Sequence, residues 1–470
     1  MMPEFMVETQ VEAEGIKMSD GYVLSDEILK HKINGSAFDH VYPYNASSSL
    51  NDLDIFTKGQ PFDLYRELRE KAPVYFHDPM PTDPEPGFWV LTKYEDIKYV
   101  SMNPKIFSSQ YASGNLLTLG TEENRHPKLF KSTIDHMLNL DGEMHLGLRK
   151  EHMPFFKAGH VDELKKKVSI KVTELLDAIA PKGECNLVHE VSQQLPIFTL
   201  SEILGIPESD RQKLVSWMEF LELAQYFTYE MIKEQNEGKT DSTPDPAMID
   251  MFNAMVDEMF EYGRFILKEK RKNPANDLLS AIANAEINGE KLSDEFLDGS
   301  WLLIIFAGND TTRNTLSGGI KLLHENQTQK EMLLDDIGLI PNFINETVRC
   351  ISPVIHMRRT SLEEAEIGGQ KIGPYEKIAL WYGAANRDPA VFENPDKFNI
   401  LRENADKHLA FGIGRHTCIG KPVALMQLNE FYSQFLTRFQ DFEMNGEWKV
   451  APNNFVHAIQ EMPIKFTPSK

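Results

Sequence analysis

The sequence predicts a mainly α fold with small β-sheets, an α+β architecture in one large domain, and three observations predict it. Helical periodicity dominates residues 141 to 355. Short aromatic and β-branched runs, such as FWVLTKY at 88–94, read as strands too few and too brief for a β fold. No repeat, low-complexity linker or charge block cuts the 470 residues into modules.

The elements follow in order. Residues 1–45 are polar and irregular and are expected to drape over a domain spanning 46–470. PFDLYRELREKAPVYF begins a helix that Pro73 stops before an extended piece. A proline-studded loop, HDPMPTDPEPG, leads into the FWVLTKY strand and then the helical EDIKYVSMN. Residues 107–137 keep no period and form a candidate binding segment. Within the helical region, 233–250 is a polar interruption, either a lid between helices or a plain surface insertion. AEIGGQKIGPYEKIALWYGAANRD then reads as a hairpin followed by another strand.

Composition narrows the function. Lys and Arg number 49 against 71 Asp and Glu, a net charge of -22, so the overall field repels nucleic acid and anionic membranes. The N-terminus is acidic where a targeting peptide is basic, and the longest apolar run, WLLIIFAG at 301–308, is too short to span a membrane. Cys185, Cys350 and Cys418 are odd in number and lack metal-type spacing, which fits a reducing compartment. A cytoplasmic monomer is expected.

The chemistry gathers around AFGIGRHTCIGKPVALMQ, residues 410–427. Leu425, Leu428, Tyr432, Phe435 and Phe439 recur at helical steps, and Pro422 suits the first turn, so Cys418 lies just ahead of a helix N-terminus. The positive end of that helix is expected to lower the thiol's pKa, and Gly412, Gly414 and Gly420 let the loop lie flat against a planar partner. The plain alternative is a small buried cysteine beside a glycine turn.

Three further stretches bear on it. FAGNDTTRN, residues 306–314, sets Asn309, Asp310, Thr311 and Thr312 into an apolar helix, with Ala307, Gly308 and Thr311 on one face. A hydroxyl there can bond the preceding turn and open the backbone ladder; the alternative is a buried polar cap between helices. NETVRC puts Glu346 and Arg349 at i,i+3, which alone is an ordinary ion pair. LDGEMHLGLRK puts His145 and Arg149 at i,i+4, able to clamp one anionic group or to form a solvated basic face.

The series Phe411, Gly412, Gly414, His416, Cys418, Gly420 resembles the heme-binding motif of the cytochrome P450 family, F-G-x-G-x-[H/R]-x-C-x-G. FAGNDTTRN resembles the family's oxygen-activation motif, and NETVRC its E-x-x-R helix. The clamp segment departs from the usual form, with Gly142 and Glu143 where relatives commonly have Asp-Pro-Pro. The resemblance runs from about residue 55 to the end, in the family's order.

The resemblance implies the cytochrome P450 fold and heme b, with Cys418 as axial iron ligand. His145, Arg149, Arg359 and His416 are implied to hold its propionates. Asp310 and Thr311 are the implied catalytic pair, organising protons for oxygen activation, while Glu346 and Arg349 lock the core. Ile304, Ala307, Gly308, Val354 and part of 107–137 are the expected pocket wall. The implied reaction inserts one atom of O2 into a substrate C–H bond. No G-x-G-x-x-G fingerprint and no room for a fused reductase appear, so electrons are expected from a ferredoxin and its NAD(P)H-dependent reductase, docking near Arg415 and Lys421.

GNDTTRN, SPVIHMRRT, EIGGQKI and NRDPAVFENPDKF look like the bacterial branch that hydroxylates alkanes, linear terpenoid alcohols and sterol side chains at an end methyl. The alternatives are O-demethylation of a methyl sugar or methoxyphenol, a heme protein that binds ligands without turnover, and a peroxide-driven oxygenase.

Overall fold

The computed structural model describes residues 44, 46–77, 87–110, 128–129, 132, 135–220, 234 and 246–469. Residues 1–43, the loop at 78–86 and most of the expected 107–137 and 233–250 segments lie outside the described residues.

The N-terminal part alternates. Helix α1 (Phe62–Lys71) stops just before Pro73, which disfavours helical backbone in the residue ahead of it. Strands β1 (Val74–His77) and β2 (Phe88–Leu91), helix α2 (Tyr94–Met102) and the short strand β3 (Phe107–Ser108) follow. Helices then prevail: α3 (Gly142–His152), α4 (Ala158–Ile179), α5 (Gln194–Leu204), α6 (Pro246–Lys272), α7 (Leu278–Asn284), α8 (Asp294–Glu325), α9 (Gln327–Asp335) and α10 (Ile340–Ile351). Pro246–Asp250, expected within an interruption, instead open α6.

Beyond α10 come β4 (His356–Ser361), the hairpin β5 (Ala365–Ile367) and β6 (Gln370–Ile372), and β7 (Lys377–Trp381), as the glycine-split runs predict. Helix α11 (Lys421–Arg438) carries proline in its first turn.

The main sheet has five strands in the order β1-β2-β7-β4-β3. β2 pairs parallel with β7, Trp89 opposite Ile378, although the two lie far apart in the chain. Trp89, Leu91, Ile378 and Leu380 pack on one face, and Phe88, Val90, Ala379 and Trp381 on the other. Both faces are covered, so the strands read as continuous apolar runs rather than alternating ones.

The larger core is helical. Val161, Leu164, Val168, Val172, Leu176 and Ile179 give α4 one buried stripe, and α4 packs against α11. α8 is buried along most of its 32 residues, between α5, α6, α10 and α11. The Tyr432 hydroxyl of α11 donates to the carbonyls of Thr315 (2.7 Å) and Leu316 (3.0 Å) of α8. Gly319 permits that approach, since a Cβ there would lie 2.1 Å from the tyrosine oxygen. The helix that follows Cys418 is thereby fixed to the helix that carries Asp310 and Thr311.

Candidate active site

Cys418 closes a tight loop ahead of α11. Its N–H donates to the Phe411 carbonyl at 2.8 Å, and Gly412 and Gly414 bend the chain at φ +67° and +79°, which side-chain-bearing residues rarely adopt. Cys185 and Cys350 are buried, whereas Cys418 is exposed. Protein nevertheless crowds round the thiol closely enough for burial to push its pKa up, against the N–H groups of Gly420 and Lys421 and the charges of Arg149 and Lys421. Both facts hold if the sulfur lies at the bottom of a recess. The N–H groups at the helix end do lower the thiol's pKa, as expected, and burial acts against them with the larger effect.

The clamp residues converge on this loop. His145 and His416 stack with ring centroids 4.2 Å apart, and Arg149 donates to the Thr417 carbonyl at 2.7 Å. His145 is held down to about 3 by burial and by the positive fields of His416, Arg149 and Arg415, while Asp141 opposes them. Burial also lowers His416, which feels Arg359 and Arg149. Arg359, on β4, is buried and donates to the Arg358 carbonyl at 2.6 Å. Two arginines and two imidazoles thus gather beside an open thiol, facing the single carboxylate of Asp141 among the described residues.

Asp141 is the site residue that sequence reasoning missed. Its carboxylate accepts from Ser108 Oγ and from the Ser109 N–H, both at 2.7 Å, and from His416 Nε2 at 3.2 Å. The position just ahead of α3 was the available signal; the partners were not visible in it.

α8 runs unbroken through Ala307–Thr312, so the expected opening of its ladder does not occur. Thr311 Oγ1 reaches the Ala307 carbonyl only at 3.4 Å. Asp310 accepts from Asn309 Nδ2 at 3.0 Å and lies 3.5 Å from the Arg313 guanidinium. Ala307 is exposed in the middle of this largely buried helix, as the wall of a hollow has to be. A Cβ at Gly308 would meet Leu200 at 2.9 Å, so this glycine lets α5 approach α8 closely. Ile304 is half-buried against the helical core. Val354 forms a bridge with Val456, and the neighbouring Phe455 stacks on Phe306 of α8 at 6.1 Å. That aromatic pair also went unread in the sequence.

Glu346 and Arg349 are completely buried and joined by two hydrogen bonds, 2.7 and 2.8 Å. Arg402 Nε adds two more to Glu346 at 3.1 Å, and the Asn399 N–H one at 3.0 Å. Arg349 also donates to the carbonyls of Asn386 and Pro395.

A helical fold with an open thiol at a helix N-terminus, beside a cation cluster short of anions, defines a protein built to hold a flat, acidic cofactor through sulfur. The residues present therefore fit a heme. The cytochrome P450 family model matches residues 57–467. A linalool 8-monooxygenase of Pseudomonas putida is 31% identical over 421 residues, covering 89% of this chain and 98% of the relative. A steroid C26-monooxygenase of Mycobacterium tuberculosis is 31% identical, covering 89% and 97%. A solved Mycobacterium marinum cytochrome P450 in complex with pseudoionone superposes with TM-score 0.78 at 30% identity, covering 91% of this chain and 100% of that one. The chain belongs to the cytochrome P450 family. It is a monooxygenase with heme b as its cofactor. Among the described residues, no helix is long and apolar enough to cross a membrane.

Proposed function

We propose that this enzyme hydroxylates the end of a lipophilic chain, an alkane, a terpenoid or a sterol side chain, in the cytoplasm, with electrons from a ferredoxin and its reductase. The observation that carries the site is the exposed Cys418 sulfur below the cluster of His145, Arg149, Arg359 and His416. Cys418 would supply the thiolate ligand of the heme, and the four basic side chains would hold its propionates. Bound heme supplies the activation of O2, and a thiolate ligand favours cleavage of the O–O bond.

The chain's own residues do the rest. Ile304, Ala307, Val354 and the Phe306–Phe455 pair give the hollow an apolar wall that excludes water and suits a hydrocarbon. The long contact from Thr311 to Ala307 leaves its hydroxyl free to exchange partners, and Asp310, held by Asn309 and Arg313, orders with it the water chain that carries protons. Arg415 is exposed, and Lys421 spreads its ammonium over the Phe411 ring at 5.3 Å, so both offer positive charge to an acidic donor protein. The substrate class is supported by relatives named for linalool, for steroid C26 and for the omega position of methyl-branched lipids.

The test is a spectral titration of the ferric enzyme with two panels. Alkanes, terpenols and sterones are expected to shift the Soret band to high spin; methyl sugars and methoxyphenols are not. A shift with the second panel alone overturns the substrate class. Thr311→Ala is expected to keep heme and substrate binding while product per NAD(P)H falls; unchanged coupling removes Thr311 from proton delivery.

A further inference from the structure

We infer that Asp141 is the positioning residue of the propionate clamp: its carboxylate fixes the ring of His416 and ties it to the strand end at Ser108. This rests on the reading above that His416 meets a heme propionate.

Asp141 occupies the N-cap position of α3, where aspartate normally accepts from its own helix, yet its side chain makes no capping bond. The carboxylate turns instead to three groups from elsewhere in the chain, Ser108 Oγ, the Ser109 N–H and His416 Nε2. Burial raises its pKa, but those hydrogen bonds and the charge of His416 outweigh burial and leave it below the ordinary value. A carboxylate only accepts, so His416 Nε2 points its N–H at Asp141, which leaves Nδ1 as the ring atom free to face another partner. The same bond sets the plane in which His416 stacks on His145.

The adjoining backbone explains why a side chain has to do this. Gly142 takes φ +62°, and nothing lies within 4 Å of where its Cβ would be. Proline, fixed near φ -65°, cannot adopt that conformation, so the stiff turn commonly found at this place in relatives is unavailable here. The hydrogen bonds of Asp141 join the start of α3 to the cysteine loop in its stead.

The experiment measures heme transfer from the ferric holoenzyme to excess apomyoglobin, for Asp141→Asn, His416→Gln, the double variant and Ser108→Ala. Asp141→Asn and His416→Gln are each expected to speed release about tenfold, as loss of a partner that orients a ligand-holding histidine does. The double variant should release heme no faster than the quicker single one, because Asp141 acts through His416. Ser108→Ala, which keeps every charge, should speed release by a smaller factor and lose its effect in the His416→Gln background; it carries the test if Asp141→Asn fails to fold. If His416→Gln leaves release unchanged, the propionate reading falls and this inference with it. Should His416→Gln speed release while Asp141→Asn does not, or the two effects multiply, the clamp stands and the role of Asp141 is overturned.

Discussion

Two charged clusters in this molecule use similar residues to opposite ends. Around Glu346, one carboxylate receives Arg349, Arg402 and the Asn399 N–H, and the spare donors of Arg349 end on carbonyls. Around Cys418, His416 bonds Asp141, whereas Arg149 and Arg359 donate to the backbone carbonyls of Thr417 and Arg358. The first cluster closes on itself and serves the fold. In the second the surplus positive charge sits beside an open thiol, so a ligand has to complete it. Each cluster sets two guanidiniums against one carboxylate, so the difference teaches that direct bonding of the guanidiniums to that carboxylate, more than burial or net charge, separates a structural ion pair from a binding site, since Arg349 and Arg359 are both buried.

The largest effect is expected where that bonding is complete. Glu346→Ala leaves two buried guanidiniums without their carboxylate, at about 3–5 kcal/mol, a large part of a typical folding free energy. Thermal unfolding and soluble yield should both collapse; near-normal values would break the contrast. Arg149→Leu is expected to quicken heme release roughly tenfold, the worth of one charge-assisted hydrogen bond. Unfolding of the heme-free protein should move far less than with Glu346→Ala, and an equal loss of stability in both would place Arg149 among the structural residues.

Acid sharpens the picture further. Burial holds His152 and His457 down to about 4 and His356 and His408 down to about 3, so all four stay neutral in the fold. In the unfolded chain they take up protons near pH 6.5. Below that value the unfolded state binds more protons, so stability is complete above pH 6.5 and falls as pH drops toward 4. Unfolding midpoints across that window should fall steadily, and His408→Gln should flatten the slope. The smallest effect belongs to surface pairs. Lys166→Ala, which removes an exposed i,i+3 partner of Glu163, should leave the unfolding midpoint unmoved.

What the sequence disclosed was local. The loop glycines, the thiol and the following helical stripe fall within thirty residues, and the polar insertion in α8 stands out against its apolar surroundings. The i,i+4 spacing of His145 and Arg149 suggested a clamp, whereas Arg359 and His416 joined it only through the family resemblance. Distant partners stayed hidden. Nothing near Asp141 announces a serine on another strand or a histidine 275 residues away, nor does E-x-x-R announce Arg402.

The interleaving of the five-stranded sheet has a consequence for biosynthesis. β2 has β1 beside it early, but its parallel neighbour β7 is nearly three hundred residues further on. At ~5–20 residues per second, the first hairpin waits tens of seconds for that partner. The cysteine loop leaves the ribosome later still. The backbone edge of β2 that β7 completes therefore stands unpaired through most of translation, and the cofactor can be captured only after nearly the whole chain has emerged. Slow growth temperature and ample heme at the end of synthesis, more than changes in codon choice near the start, should govern how much of this protein is recovered folded.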